Sequence, residues 1–353
     1  MEALHKALPM GPGRIEGTVG PQFESSRFSA LGEEAFVPST RTRQAAAFLL
    51  ERWTWGDSGH LSAGVRAEQV RVRSEGDADG ADPQFGPAQE RRFSPRSASI
   101  GGVLNLSPQW QLSSNGSTTE RAPTSYELYA NGVHAATGAY ERGDPQQALE
   151  RGRNLDLALG WKNGANRMKV GVFESRFVNY IALEATGEPD FIDDEGGSFP
   201  VFAFQGVGAR LYGLELEGKW LAMEGARTID LDAKLDIVRG SNIDSGEALL
   251  RLARRRATLG ANLAQGAWIA RAEVQHASAQ ERVPTTDVAT SGWTLVNLSA
   301  SYALDRAAGG ALLFVKLHNV GNKLAYSAST IGTVRALAPL PGRGLTAGLR
   351  LAF

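Results

Sequence analysis

The chain has no cysteine, which excludes disulfides, thiolate metal sites and cysteine nucleophiles. No apolar run approaches the ~18 residues a membrane helix needs, so a helical membrane protein is excluded. That exclusion stops at helices. A membrane barrel carries its apolar surface in every second residue, so its bulk hydropathy looks like that of a soluble protein. The hydrophobic content of 42% is of that ordinary kind. Charge of one sign is also lacking: 37 bases oppose 38 acids, for a formal net charge of −1. With no basic cluster standing out, nucleic acid is not an expected partner. The opening MEALHKALPM lacks the charged region and apolar core of a secretory leader. An exported protein would have lost its leader from this chain. Serines, histidines and acids never fall into nucleophile-elbow or zincin spacing, so no enzyme is expected.

What the sequence does contain is period-two alternation. Candidate strands lie near 14–27, 40–55, 59–73, 94–106, 108–119, 149–162, 165–180, 201–221, 226–239, 250–265, 267–277, 292–304, 310–319 and 343–353, about fourteen in all. Residues 1–13 read as an irregular N-terminal segment. Leu155, Leu157, Leu159 and Trp161 alternate with Asn154, Asp156, Ala158 and Gly160. Ile229, Leu231, Ala233, Leu235 and Ile237 alternate with Asp230, Asp232, Lys234 and Asp236. Glu215 and Glu217 share a strand face, where lining an interior suits them better than acid–base work.

The connections alternate as well. Short turns at Gly56–Gly59, Ser107–Gln109, Asn163–Ala165, Met223–Ala226, Gln265–Gly266 and Asp305–Gly309 are interleaved with long polar loops at 74–93, 120–148, 182–200, 240–249, 278–291 and 320–342. An up-and-down membrane barrel gives this rhythm, with tight turns at one end and longer loops at the other. A sandwich or propeller has no reason to lengthen every second connection. Trp53, Trp55, Trp110, Trp161, Trp220 and Trp268 fall near the short turns, where an aromatic girdle would meet lipid headgroups. Expected, therefore, is an all-β, antiparallel up-and-down transmembrane β-barrel in contact with outer-membrane lipid. A passive porin-like channel of about fourteen strands and a soluble all-β carbohydrate-binding or adhesive module remain as alternatives.

Several stretches resemble the TonB-dependent outer-membrane receptors. Glu120-Arg121-Ala122-Pro123, followed by Tyr126-Glu127-Leu128-Tyr129, is similar to the family's FRAP box, with Glu in place of the leading Phe. Gly143-Asp144-Pro145-Gln146, running on through Leu149-Glu150 to Asn154-Leu155-Asp156, is a degenerate form of its NPNL box. Tyr212-Gly213-Leu214-Glu215-Leu216-Glu217 resembles its Gly-φ-Glu strand, and Asn319-Val320-Gly321-Asn322 with Tyr326 its NLFD…Y element. Pro341-Gly342-Arg343 and the final strand resemble its closing strand, whose terminal aromatic, here Phe353, is read by the outer-membrane assembly machinery. The marks stand in family order from about residue 14 onward.

The resemblance implies that residues 14–353 form the C-terminal part of a Gram-negative outer-membrane receptor barrel, incomplete beside the family's 22-stranded barrel. The plug domain, its TonB-binding segment, the first strands and the signal peptide have no counterpart here. Function in the complete receptor would be TonB-dependent uptake of a metal or metal complex. ELYANGVH resembles the zinc- and haem-uptake branch more than the siderophore branch. His134 then occupies the place where haem receptors carry an iron-ligating histidine, and imidazole suits haem iron as well as zinc. Glu127, Tyr129 and Glu141 share its loop. Asp190, Asp193 and Asp194 lie in an acidic loop able to concentrate a divalent cation. His318, in parity with Phe314 and Lys316, faces the lumen at a strand end. The simpler alternative leaves His134 as a solvated loop residue and the acids as surface charge.

Overall fold

Alternation of side chains forces one conclusion about backbone: segments of this length and period pair into a sheet with two different faces. The computed structural model describes the chain except residues 1, 30, 31, 33, 34, 79–82, 254, 305–309 and 352–353. The expected turn at 305–309 and the terminal Phe353 lie outside the described residues. The first strands are β1 (Ala3–Met10), β2 (Gly13–Phe28), β3 (Thr40–Trp55), β4 (Gly59–Ser74), β5 (Gln89–Phe93), β6 (Arg96–Asn105) and β7 (Trp110–Arg121). Next in the chain are a short helix α1 (Ser125–Tyr129) and a small hairpin, β8 (Asn131–His134) and β9 (Ala139–Arg142). Then come β10 (Glu150–Asn163), β11 (Asn166–Ala185), a second small hairpin of β12 (Phe191–Ile192) and β13 (Ser198–Phe199), and β14 (Val201–Met223). The rest are β15 (Thr228–Asn242), β16 (Arg255–Gln265), β17 (Trp268–Ala277), β18 (Trp293–Ala303), β19 (Ala311–His318), helix α2 (Gly332–Arg335) and β20 (Gly344–Leu351).

The long strands pair antiparallel with their sequence neighbours in an up-and-down order from β1 to β20. Among the described residues β1 pairs only with β2 and β20 only with β19, so the sheet is not closed. The fold is thus the expected all-β antiparallel sheet. All fourteen expected segments form strands, with two differences. Residues 3–10 are a strand rather than an irregular segment, pairing across a tight turn with Gly13–Val19. Their sequence, ALHKALPM, alternates poorly and includes Pro9, and the neighbouring strand supplies the order. The segment at 250–265 becomes a strand only from Arg255.

Register separates the faces. Leu157, Val172, Leu214 and Ile237 stand opposite one another across four strands on the outer face. Leu155, Leu157 and Leu159 are 62%, 45% and 39% exposed, so this surface has no protein cover and needs lipid. The parallel row inside runs Gly171, Glu215, Asp236 and Arg256. Asp156, Lys169, Glu215, Glu217 and Lys234 line a groove of about 500 Å³ on that inner face. At the short-turn end Trp161 stands opposite Trp110 and stacks near Trp220, with 6.4 Å between ring centroids. Trp53 and Trp55 lie 4.8 Å apart there, and Trp268 packs on Tyr302 at 4.8 Å. Gly164, at φ +58°, makes the tight turn between Asn163 and Asn166, a backbone few L-residues adopt.

Buried apolar cores sit at the other end. Val70, Val72, Phe93, Leu128 and Tyr129 form one cluster; Val37, Ala130, Ile181 and Phe204 form another. Residues 120–148, expected to be a polar loop, are therefore ordered. Strand β9 adds to β14 in parallel, with Val201 opposite Tyr140, and carries the sheet beyond the barrel rim.

Candidate functional site

Strand β7 delivers Arg121 to the rim, where it ties together the start of α1 and the start of β10. Its guanidinium donates to Glu127 at 2.8 and 3.1 Å and to Glu150 at 3.1 and 2.9 Å. The planar fork of arginine suits two carboxylates at once. Glu127 also accepts the Thr124 backbone N–H at 2.7 Å, the half of a capping box that starts α1. Helix α1 then buries Leu128 completely and points the Tyr129 hydroxyl at the Val72 carbonyl, 3.2 Å away. Burial pushes the Tyr129 phenol above its ordinary pKa. Glu127 and Tyr129 thus hold the rim together.

The β8–β9 hairpin presents His134. Its Nδ1–H donates to Glu141 Oε1 at 2.9 Å, and the Thr137 hydroxyl donates to the same oxygen at 2.7 Å. Phe36 stacks on the imidazole, with centroids 4.1 Å apart and planes 11° from parallel. Glu141 is buried and fixes the ring's tautomer, which leaves the lone pair on Nε2. His134 lies on the wall of a cavity of about 510 Å³, shared with Phe36, Tyr126, Glu127, Glu141, Tyr180, Phe204 and Arg251. Tyr126 packs against Phe204 at 5.6 Å. Helix α2 and its loop roof this space: Ile331 lines it, and the Thr333 hydroxyl donates to the Ala136 carbonyl of the hairpin turn. Arg335 holds the roof in place, donating to Asp287 at 3.0 and 3.2 Å and to the Val288 carbonyl at 2.7 Å.

Of the residues singled out in the sequence, the fold brings His134, Glu127 and Glu141 to this one cavity. Tyr129 sits behind it in the apolar cluster. The acidic loop is elsewhere and internally satisfied. Asp190 accepts from Ser198 at 2.7 Å, and Asp193 accepts the Glu195 and Gly197 N–H groups at 3.0 and 2.6 Å, closing the β12–β13 turn. Asp194 is exposed. The Arg142 guanidinium bonds Glu188 at 2.7 and 3.2 Å and holds that carboxyl below the usual carboxylate range. His318, the last residue of β19, takes the inner-face parity of Phe314 and Lys316 and is not part of the His134 cavity. Among the described residues no three of His, Asp and Glu come close enough together to hold a metal ion. Sequence reasoning missed Phe36, Thr137, Tyr180 and Arg251. None of the four was singled out by motif or spacing, although Arg251 opens the run RLARRR at residues 251–256.

Similar folds occur in solved structures. The copper transporter OprC superposes with a TM-score of 0.79 at 16% identity, over 98% of this chain and 55% of that one. The ferric enterobactin receptor PfeA of Pseudomonas aeruginosa gives 0.73 at 16% identity, over 99% and 53%. The hemophore receptor HasR of Serratia marcescens, solved with its hemophore and heme, gives 0.70 at 16% identity, over 100% and 58%. The chain spans little more than half the length of these proteins. All three are receptors or transporters by name, not enzymes. The family described as TonB dependent receptor-like, beta-barrel matches residues 11–320, so this chain belongs to that family and is a Gram-negative outer-membrane β-barrel protein.

Proposed function

We propose that the chain supplies the C-terminal barrel wall and part of the ligand-capturing mouth of a receptor for TonB-dependent uptake of a metal complex, with haem as the favoured cargo. The observation that carries this reading is His134, oriented by Glu141 on the wall of an aromatic cavity. A carboxylate on one imidazole nitrogen raises the basicity of the other, the arrangement metal-binding histidines favour. Zinc, named alongside haem by the family resemblance, ordinarily takes three or four protein ligands. Haem iron needs one or two, and the porphyrin plane gains from aromatic neighbours such as Tyr126, Tyr180 and Phe204. A cavity of about 510 Å³ also falls in the range that encloses compact organic ligands. In the complete receptor a plug and the TonB complex would gate and drive release. A passive porin of fourteen strands is not favoured by membership of a receptor family.

The test is a titration of the detergent-solubilised protein with haemin, monitored by Soret absorbance. Ligation by His134 predicts a shifted Soret band in the parent and its loss in His134→Ala. Equal affinity and an identical spectrum in both proteins remove His134 from the site.

A further inference from the structure

A second cavity, of about 690 Å³, adjoins the first and has the opposite charge. Arg251 and Arg256 line it, against a single carboxylate, Asp236, while Arg255, opposite Ile237, takes the outer face. Asp236 stands opposite Arg256 in the strand register. Among the described residues neither guanidinium reaches a carboxylate within ion-pair distance, whereas Arg121, Arg271 and Arg335 each do. Thr258 and Gln275 pair on the inner face of the sheet, so the cavity opens to the barrel interior.

Two further observations suit a polar ligand here. The hydroxyls of Ser278 and Thr290 are buried on this cavity without a hydrogen-bond partner, and Thr290 is only 6% exposed. Their backbone groups are satisfied: Ser278 N–H donates to the Arg255 carbonyl at 3.1 Å, and Thr290 exchanges bonds with Gln280 at 2.8 and 3.0 Å. Only the side-chain protons lack an acceptor, and buried donors rarely stay unpaired. Arg251 itself is held at φ +59°. The other non-glycine residues at positive φ among those described are Asn319 and Asn322, a residue type that tolerates the conformation; arginine does not favour it. An outlier of this kind belongs with function more often than with chance. Arg251 lines both cavities.

We propose that the arginine cavity is a carboxylate subsite for the ligand of the His134 cavity: Arg251 and Arg256, with the Thr290 hydroxyl, bind the acidic arms of a metal complex whose metal lies at His134. This rests on His134 being the metal ligand. It narrows the cargo to a complex with an apolar ring or body, a metal and at least one carboxylate. Bare divalent cations are disfavoured by two neighbouring positive charges.

The experiment compares haemin with its dimethyl ester, which keeps iron and ring and loses both carboxylates, on the 353-residue chain in detergent. The variants are Arg251→Gly, in which glycine holds the positive φ without strain, and Arg256→Gln. Haemin affinity should fall about tenfold in each, as expected for loss of a charge-assisted hydrogen bond, with the Soret position unchanged. The ester should bind the parent and the variants alike. Equal binding of acid and ester by the parent, or unchanged haemin affinity in the variants, overturns the proposal. Failure of the parent to bind haemin at all sinks the assignment of His134, and citrate calorimetry then decides the subsite alone. Citrate binding that disappears in Arg251→Gly supports it; no citrate binding to the parent overturns it.

Discussion

The membrane wall and the loop-side rim of this barrel are built by different physics. In the wall, each strand between the two edge strands β1 and β20 is satisfied by its two neighbours, and the apolar face meets lipid. At the rim, Leu128, Val72 and Pro123 are fully buried, and Arg335 and Asp287 form an ion pair with side chains 6% and 5% exposed. The wall is a repeating local pattern. The rim is a small globular assembly of long-range contacts on top of it, and the candidate ligand cavities occur there. Shape and charge are specified where the protein folds as a soluble domain does, and the lipid-facing surface needs only to be apolar.

The contrast between wall and rim is greatest at Arg335. Arg335→Ala leaves Asp287 buried without its partner, a loss of about 3–5 kcal/mol. Hydrogen exchange should show the 278–291 and 320–342 segments opening together while β14 to β19 stay protected. Leu128→Ala should cost about 2–5 kcal/mol, again at the rim alone. Leu155→Ala, at a site 62% exposed, should leave the melting of the detergent-solubilised protein unchanged. The wall has its own vulnerable substitution. Leu157→Arg puts a charge on the lipid face and should cost about 2–4 kcal/mol in refolding into bilayers. Asn115→Arg, on the inner groove, should be tolerated.

The smallest expected effect concerns pH. Arg142 depresses the Glu188 carboxyl, so their pair contributes fully above the unfolded carboxyl's ordinary value. That contribution is lost as pH falls through the lowered folded value. Protection factors of residues 186–200, which remove the intrinsic pH dependence of amide exchange, should therefore hold constant from neutrality down to the ordinary carboxylate value and fall below it. Arg142→Gln should abolish the dependence.

This division also explains what could be read in the sequence. Alternation at Leu155–Trp161 or Ile229–Ile237 and the rhythm of short and long connections depend on adjacent residues, and they located all fourteen expected strands and the two faces. The family boxes led to the β8–β9 hairpin, and His134, Glu127 and Glu141 share a cavity. The partners that complete it do not announce themselves. Phe36 stacks on His134 from the β2–β3 connection, Tyr129 bonds Val72 in β4, and Arg251 reaches the cavity only because the chain turns through a positive φ just before β16. The acidic loop illustrates the converse. Asp190 and Asp193 lie in the next long loop after that of His134, yet their lone pairs are spent on closing their own hairpin.

The contact between the Thr333 hydroxyl and the Ala136 carbonyl joins residues 197 positions apart. Closing a loop that long costs about 4 kcal/mol more chain entropy than closing a two-residue turn, more than one hydrogen bond returns. The contact becomes favourable only after the intervening strands have zipped and brought the two loops within reach. The roof over His134 is accordingly among the last pieces to assemble, and the order of folding is written into the site: a chain still threading its strands into the membrane has no enclosed cavity in which to hold a ligand.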